Sequence, residues 1–190
     1  FALFAAQRTE GSVEISNQVD LGAANTLGCP SIAEKAVTCR SVEDLQKAVA
    51  YARDHGLALT VLGGGSNVVL RSRVPGLVVL NRLAGICFAM PAASAVSGAR
   101  AGSDRDGGDR AEGDPGAGDL PKGEDRIHLH LGAGESWDTA VRRSLDLGYR
   151  GLENLILIPG SAGAAPIQNI GAYGAELADT LVEVTALDAR

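Results

Sequence analysis

The residues best suited to bind a ligand lie in the apolar, glycine-rich stretch 155–176, LILIPGSAGAAPIQNIGAYGAE. Its glycines and prolines break both helical and strand periodicity, so this is neither an amphipathic helix nor an ordinary strand. Glycine lets a ligand approach the backbone closely, and hydroxyl and amide groups come from Ser161, Gln168, Asn169 and Tyr173. Such groups suit a planar, neutral ligand with polar edges, for example a flavin ring. The alternative is a buried structural crossover in which the glycines serve tight packing.

A second glycine-rich segment directly follows an apolar run. Residues 57–62, LALTVL, predict a buried strand. The residues after it are Gly63, Gly64, Gly65, Ser66 and Asn67. Open α/β sheets bind ligands at the carboxyl ends of their strands, and successive N–H groups in a glycine turn form an anion-binding nest. We therefore predict a pyrophosphate-binding turn, with a plain tight turn as the alternative. It is not a P-loop, because neither Lys-Ser nor Lys-Thr follows the glycines.

A strand and a helix precede this turn and must position it. Residues 35–40 predict a short strand, and Ser41 with Asp44 three residues later forms a variant capping box that opens a helix. Gly56 ends that helix. Apolar residues recur along it at spacings of three and four, which predicts one face packed on a sheet, formed by Val42, Leu45, Val49 and Ala52.

Three further strands are predicted, at residues 77–80, 86–90 and 126–131. In the last of them apolar residues alternate strictly with His128 and His130, so the two histidines share one face. Because no third ligand stands near them in the sequence, we interpret this pair as an exposed strand face and predict no metal site.

A third glycine turn links the last of these strands to a second helix. Gly132 and Gly134 precede a helix predicted at residues 137–147, with Ser136 as its N-cap. The glycine spacing imitates a dinucleotide fingerprint, but Trp137 stands where that motif needs its third glycine. We therefore interpret the segment as a strand-to-helix turn and expect Trp137 to face the core.

The composition limits the possible partners and the compartment. The chain of 190 residues has a formal net charge of −6 and a pI of about 5.0, which argues against a nucleic-acid partner. No apolar run approaches the roughly 20 residues that span a bilayer, so we expect no membrane association. The three cysteines, Cys29, Cys39 and Cys87, are far apart, and we interpret them as small apolar residues of a protein in the reducing cytoplasm.

Two segments carry no periodic pattern. Residues 1–20 are mixed in character, and we expect a disordered lead-in. Residues 91–125 consist almost wholly of Ala, Gly, Ser, Asp, Glu, Arg and Pro. Without periodic apolar positions, burial there cannot offset the entropy of ordering, so we predict a disordered insertion.

Taken together, three motifs closely resemble the UDP-N-acetylenolpyruvoylglucosamine reductase family of peptidoglycan synthesis: LTVLGGGSNVVL, LHLGAGESW and GLENLILIPGSAGAAPIQNIGAYGAEL. The resemblance covers most of residues 25–190, apart from the insertion. It implies a mixed α+β fold, the FAD-binding fold shared with vanillyl-alcohol oxidase (the PCMH type), with the flavin between two lobes. We expect the first lobe at residues 21–82 and the second at residues 83–190.

The resemblance also implies the chemistry. FAD would be the cofactor and NADPH the hydride donor, and the substrate would be a UDP-sugar, enolpyruvyl UDP-N-acetylglucosamine, reduced to UDP-N-acetylmuramate. Matched by motif, the FAD pyrophosphate would contact Gly63, Gly64, Gly65, Ser66 and Asn67. The flavin ring and its linker would contact Pro159, Gly160, Ser161, Gly163, Gln168, Asn169, Ile170 and Gly171. Tyr173 would reach from the flavin pocket toward the substrate.

The catalytic residues of that family lie further along its sequence, and none can be mapped here. We therefore expect a fragment that retains mainly the FAD-binding part and lacks the C-terminal substrate domain, with a new strand starting at residues 181–187. Two alternatives stay open. One is a sugar or alcohol oxidase of the same fold, with FAD attached covalently through His55. The other is a nucleotide-binding module without catalytic activity.

Overall fold

The computed structural model describes residues 13–89 and 126–189. The predicted insertion at residues 91–125 and most of the predicted lead-in lie outside the described residues. The strands are β1 Ser16–Asp20, β2 Ile32–Cys39, β3 Leu59–Leu62, β4 Arg73–Asn81, β5 Ile86–Ala89, β6 His128–Leu131, β7 Gly171–Ala172 and β8 Ala175–Glu176. The α-helices are α1 Val42–Asp54, α2 Trp137–Asp146 and α3 Ala165–Gln168.

A four-stranded sheet in the order β1-β2-β4-β3 forms the base of the fold. β4 runs parallel to both β2 and β3, and β1 is antiparallel to β2. The predicted strand, helix and strand leading to the first glycine turn are therefore confirmed. The predicted lead-in differs from the structure at its end, because Ser16 pairs with Ala36 and Asp20 pairs with Ile32. This pairing partner is distant in sequence, so local patterning gave no sign of it.

Helix α1 begins at the predicted capping box. The Ser41 hydroxyl accepts a hydrogen bond from the Asp44 N–H at 3.0 Å, and the Asp44 carboxylate accepts one from the Ser41 N–H at 3.0 Å. The predicted buried face is shifted, however: Val42 is 52% exposed, whereas Ala48 and Ala52 are buried. Small alanine side chains let the helix axis approach the sheet closely, which places the contact on these two residues.

Each face of the sheet carries its own apolar cluster. Against α1 the buried residues are Val37, Cys39, Ala48, Ala52, Leu77 and Val79. On the opposite face they are Leu21, Ala33, Ala36, Leu62 and Val78. Since successive residues of β4 alternate between the two clusters, β3 and β4 are held from both sides. The first glycine turn therefore follows a strand end that is held in place, since Leu62 is paired with Leu80.

A third cluster surrounds α2 and confirms the prediction that Trp137 faces the core. Trp137 is 4% exposed and packs with Val141, Leu155, Ala165 and Leu177. Its indole N–H donates to the Leu155 carbonyl at 2.8 Å. The start of the glycine-rich stretch 155–176 is therefore anchored to α2.

The described residues divide into two compact units. One unit comprises the described residues up to Ile86 and from Leu131 onward, and the other comprises the described residues between Cys87 and His130. Within the first unit, the Gly134 N–H donates to the Leu83 carbonyl, and the Gly132 N–H donates to the Gly85 carbonyl, each at 2.8 Å. The predicted lobe border after residue 82 stays a prediction. Strands β5 and β6 form a separate two-stranded sheet.

The strand predicted at residues 181–187 is not formed, and residues 181–189 have no regular secondary structure. Apolar residues of this segment are exposed, among them Val182 at 74% and Val184 at 54%. A strand needs a neighbouring strand to pair with its N–H and C=O groups, and no strand of the described residues pairs with this segment. Within the described residues, no helix has the length and apolar content to cross a membrane.

Burial makes the three cysteines chemically unequal, which gives a direct test of the core around α1. Cys39 is fully buried, whereas Cys29 and Cys87 are half-buried. Burial, and next the nearby Asp44 carboxylate, raise the pKa of the Cys39 thiol to about 11. The folded state therefore favours the protonated thiol. The resulting stabilisation is complete below the unfolded pKa near 9.0 and is lost as the pH rises through about 11.

We expect an aromatic disulfide reagent at pH 8 to modify Cys29 and Cys87 in the folded chain and Cys39 only after unfolding in urea, because the thiolate is the reactive species. A Cys39→Ala variant should leave the fast reaction unchanged in amplitude. Reaction of all three thiols at one rate in the folded wild-type chain would contradict the burial of Cys39.

Candidate functional site

The first glycine turn presents a row of backbone donors. It follows β3 directly, and Gly65 is in the left-handed region with φ +67°. No acceptor in residues 13–89 and 126–189 receives a hydrogen bond from the N–H groups of residues 63–67. Gly64 and Asn67 are exposed to solvent. Gly63 and Ser66 are half-buried, and Gly65 is buried. Successive unpaired N–H groups at a turn can bind the oxygens of an anion where the turn is exposed.

The carbonyl side of the same turn is held by the protein. The Arg82 guanidinium donates from Nη1 to the Gly63 carbonyl at 2.8 Å. The Thr26 N–H donates to the Gly65 carbonyl at 3.0 Å. The turn is therefore fixed through its acceptors, while its donors stay available.

This turn meets the glycine-rich stretch 155–176, as backbone geometry shows. A Cβ atom added to Gly63 would lie 2.2 Å from the Ser161 hydroxyl oxygen. A Cβ atom added to Gly64 would lie 3.2 Å from the Gly160 Cα, and one added to Gly160 would lie 3.0 Å from the Ser66 hydroxyl oxygen. The structure thus brings together two predicted stretches that are about 100 residues apart in the sequence.

The third glycine turn packs against the other side of the stretch 155–176. The Gly163 N–H donates to the Ala133 carbonyl at 2.9 Å, and the Trp137 N–H donates to the Gly160 carbonyl at 3.0 Å. A Cβ atom at Gly163 would lie 2.6 Å from the Ala133 Cβ. The interpretation of Gly132 and its neighbours as a strand-to-helix turn is confirmed, since α2 begins at Trp137.

A strained backbone position precedes the Pro159-Gly160-Ser161 segment. Leu157 has φ +66°, which non-glycine residues rarely adopt. Its N–H donates to the Asp138 carboxylate at 2.8 Å, and Arg142 donates to the other oxygen of that carboxylate at 2.7 Å. Hydrogen bonds, first from Arg142 and then from the Leu157 N–H, lower the pKa of Asp138. The ionised carboxylate therefore holds Leu157 in place.

Asn169 and its neighbours form the far end of the stretch 155–176. Asn169 ends α3 with φ +42°, and its amide donates to the Glu176 carboxylate at 2.8 Å. Its amide oxygen accepts a hydrogen bond from the Ala178 N–H at 3.2 Å. These bonds fix the β7–β8 hairpin, so the Asn169 amide has a local structural role; its predicted flavin contact, like that of the exposed Gln168, stays a prediction.

Tyr173 occupies the tip of the β7–β8 hairpin. With φ +51° at Tyr173 and φ +80° at Gly174, the hairpin turns in the type I′ conformation. Tyr173 is 89% exposed. A cavity of about 430 Å³ lies along the hairpin, lined by Asn169, Gly171, Ala172, Gly174, Ala175 and Glu176. The tyrosine ring is therefore free to meet a ligand, and its predicted role toward a substrate remains a prediction.

The described histidines make contacts with nearby aromatic rings. The His128 and His130 rings are 6.2 Å apart in an edge-on arrangement. Among residues 13–89 and 126–189, no three His, Cys, Asp or Glu side chains come close enough to hold a metal ion. His55 follows the end of α1, where its ring stacks on Tyr51 with a 4.0 Å centroid separation.

Comparison with known proteins decides the family. The model of the family described as "FAD binding domain" matches residues 33–98 and 123–190. The chain belongs to this family. The motif-based prediction of an FAD-binding fold of α+β class is therefore confirmed, and FAD is the cofactor that the family binds.

Two curated relatives of this FAD-binding domain are both named UDP-N-acetylenolpyruvoylglucosamine reductase. The protein from Pseudomonas aeruginosa is 39% identical over 93% of this chain and 43% of its own length. That from Bdellovibrio bacteriovorus is 40% identical over 93% of this chain and 43% of its own length. These relatives confirm the resemblance that the motifs predicted. The chain spans less than half the length of the curated relatives it matches.

A solved structure supports the same fold. The UDP-N-acetylenolpyruvylglucosamine reductase (MurB) from Thermus caldophilus superposes with a TM-score of 0.52 at 25% identity, covering 88% of this chain and 46% of that one.

The described residues of this FAD-binding domain fit the diphosphate of its cofactor. The unpaired N–H groups of residues 63–67 suit phosphate oxygens. The absence of side chains at Gly63 and Gly64 keeps the turn in backbone contact with Gly160 and Ser161.

Sequence reasoning missed three polar residues that hold the FAD-binding domain's glycine turns in place. Arg82 donates a hydrogen bond to the Gly63 carbonyl, and Asp138 accepts one from the Leu157 N–H. The Glu135 carboxylate accepts one from the Gly85 N–H at 2.6 Å. Only Asp138 left a local signal, because it stands four residues before Arg142 on a predicted helix. The other two act on segments distant in sequence.

Proposed function

We propose that this domain binds FAD with the diphosphate against the N–H groups of residues 63–67 and the flavin ring along residues 159–171. The observation that carries the proposal is the contact of Gly63 and Gly64 with Gly160 and Ser161, beside a row of donors without a described acceptor. The cofactor would extend along both segments, from the turn to residues 159–171, while the contact of Gly63 with Ser161 holds the two segments together.

The bound flavin would supply hydride transfer, and the chain's own residues would bind and orient the reactants. We assign the parent activity as the NADPH-dependent reduction of an enolpyruvyl UDP-sugar to UDP-N-acetylmuramate, in the cytoplasm. The name of the curated relatives supports this assignment. The exposed Tyr173 at the hairpin tip is suited to contact the UDP-sugar, since its ring and hydroxyl are not used in the core.

Two other functions are less well supported. An oxidase with flavin attached through His55 would need that ring to leave its stacking on Tyr51 and its 2.9 Å contact with the Tyr51 carbonyl. A nucleotide-binding module without catalysis would keep the diphosphate site alone.

Mass spectrometry of the chain purified with added FAD tests the proposed FAD binding and separates it from covalent attachment in an oxidase. We expect intact FAD to be released on denaturation, with no covalent adduct. An adduct on His55 would favour the oxidase. A folded chain that carries no FAD would contradict the proposal.

A further inference from the structure

Arg82 stands at the carboxyl end of β4, beside the turn that follows β3. Its Nη1 atom donates to the Gly63 carbonyl at 2.8 Å and to the Asn81 carbonyl at 2.9 Å. One nitrogen thus ties the first peptide of the glycine turn to the end of the neighbouring strand. The side chain is half-buried, so its position is restricted on the protein side.

The charge of Arg82 has no partner among the described residues. The ion pairs there join Arg53 to Asp54 and Arg142 to Asp138. No described residue accepts a hydrogen bond from Arg82 Nε or Nη2. An uncompensated guanidinium therefore lies within hydrogen-bond distance of the same turn whose N–H groups are free. Both features favour an anion at this place.

We propose that Arg82 is a positioning residue of the FAD diphosphate site. It fixes the turn through the Gly63 carbonyl, so that the N–H groups of residues 63–67 keep one orientation. Its positive charge also raises the affinity of the turn for the diphosphate. Lysine cannot replace it fully, because an ammonium has one nitrogen and would keep a single N–H for the anion after binding both carbonyls, whereas arginine keeps the donors of Nε and Nη2. This inference rests on the proposed FAD binding.

The test is the dissociation constant of FAD for the full chain, measured by flavin fluorescence as a function of NaCl. The Debye length falls from about 30 Å at 0.01 M to about 3 Å at 1 M, so an electrostatic contribution declines over that range. Arg82→Gln removes the charge, and Arg82→Lys keeps it. Arg73→Gln is the matched control: it removes the same charge at the opposite end of β4, about 30 Å away at ~3.3 Å per residue.

We expect Arg82→Gln to weaken FAD binding by about 10- to 100-fold at low salt, with a shallower salt dependence than wild type. Arg82→Lys should weaken it by about 3- to 10-fold and keep the wild-type slope, since the charge remains. Arg73→Gln should change neither quantity. Circular dichroism checks the fold of each variant. If Arg82→Gln does not fold, the FAD affinity of Arg82→Lys relative to wild type provides the test.

If Arg82 only holds the turn in place and its charge does not attract FAD, the expected pattern is different. Both substitutions should then weaken FAD binding by a factor that does not change with the NaCl concentration. That result, or wild-type affinity in either Arg82 variant, would overturn the inference while FAD binding itself stands. A folded wild-type chain that binds no FAD would overturn the proposed function and this inference together.

Discussion

The substitution Gly65→Ala is expected to destabilise the folded chain by about 3 to 5 kcal/mol, near the upper end for a single change. Two costs add. The left-handed φ of +67° is unfavourable for alanine by about 1 kcal/mol or slightly more. In addition, the new Cβ would lie 2.0 Å from the Ala24 carbonyl oxygen and 2.8 Å from the Asn25 Cα, both of which are backbone atoms.

The segment that Cβ would meet cannot move cheaply. Asn25 is 6% exposed, and its amide donates to the Leu21 carbonyl at 2.9 Å and the Cys29 carbonyl at 3.1 Å. The Cys29 N–H donates back to the Asn25 amide oxygen at 3.0 Å. Relief of the clash would have to break this buried set of hydrogen bonds or displace the glycine turn itself.

Gly56→Ala provides the matched control. Gly56 also has a left-handed φ, +60°, but beyond its two chain neighbours no atom of the described residues lies within 4 Å of its added Cβ. Its substitution should therefore cost only the conformational part, about 1 kcal/mol. Urea unfolding followed by circular dichroism gives both values. Equal losses for the two substitutions would show that Gly65 is required only for its φ angle and not for packing against the 24–26 turn.

The substitution Trp137→Ala is expected to cost about 3 to 5 kcal/mol, since it empties the centre of the third cluster. Trp137 is 4% exposed, and its loss also leaves the Leu155 carbonyl without its indole partner. Because Leu155 begins the stretch that contacts the glycine turn, FAD binding should fall together with stability.

Trp137→Phe separates packing from hydrogen bonding. It keeps most of the aromatic surface and removes the N–H donor, so we expect a smaller loss of about 1 to 2 kcal/mol. The midpoints of urea unfolding, followed by circular dichroism because the only tryptophan is removed, provide the comparison. A Trp137→Ala variant as stable as Trp137→Phe would contradict the central place of this ring.

Features with a local cause could be predicted from the sequence. The capping box at Ser41 and Asp44 and the helix that begins at Trp137 depend on residues a few positions apart, and both are formed. The glycine turn after residue 62 was placed correctly for the same reason. β4 was predicted too short, because Pro75 and Gly76 break the strand pattern, yet the structure extends it from Arg73.

Features that depend on distant residues could not be predicted. Gly76 is tolerated inside β4 because its N–H donates to the Glu34 carboxylate at 2.9 Å, and a Cβ there would lie 2.2 Å from the Ala58 carbonyl oxygen. In the same way, the reason for glycine at position 63 is Ser161, far along the chain. For Gly63 the sequence analysis predicts an anion-binding nest or a plain tight turn, and the structure adds a further reason for glycine there, which is close packing against Ser161.

The most direct test of this account is the flavin content of the full chain. The chain is purified with added FAD, freed of unbound ligand and denatured, and the released flavin is measured by fluorescence, with FMN in a parallel preparation. Because the N–H groups of residues 63–67 are assigned to the diphosphate, which FMN lacks, we expect one FAD per chain and little FMN. Equal retention of both flavins, or a folded chain that retains neither, would contradict the assignment of this turn to the FAD diphosphate.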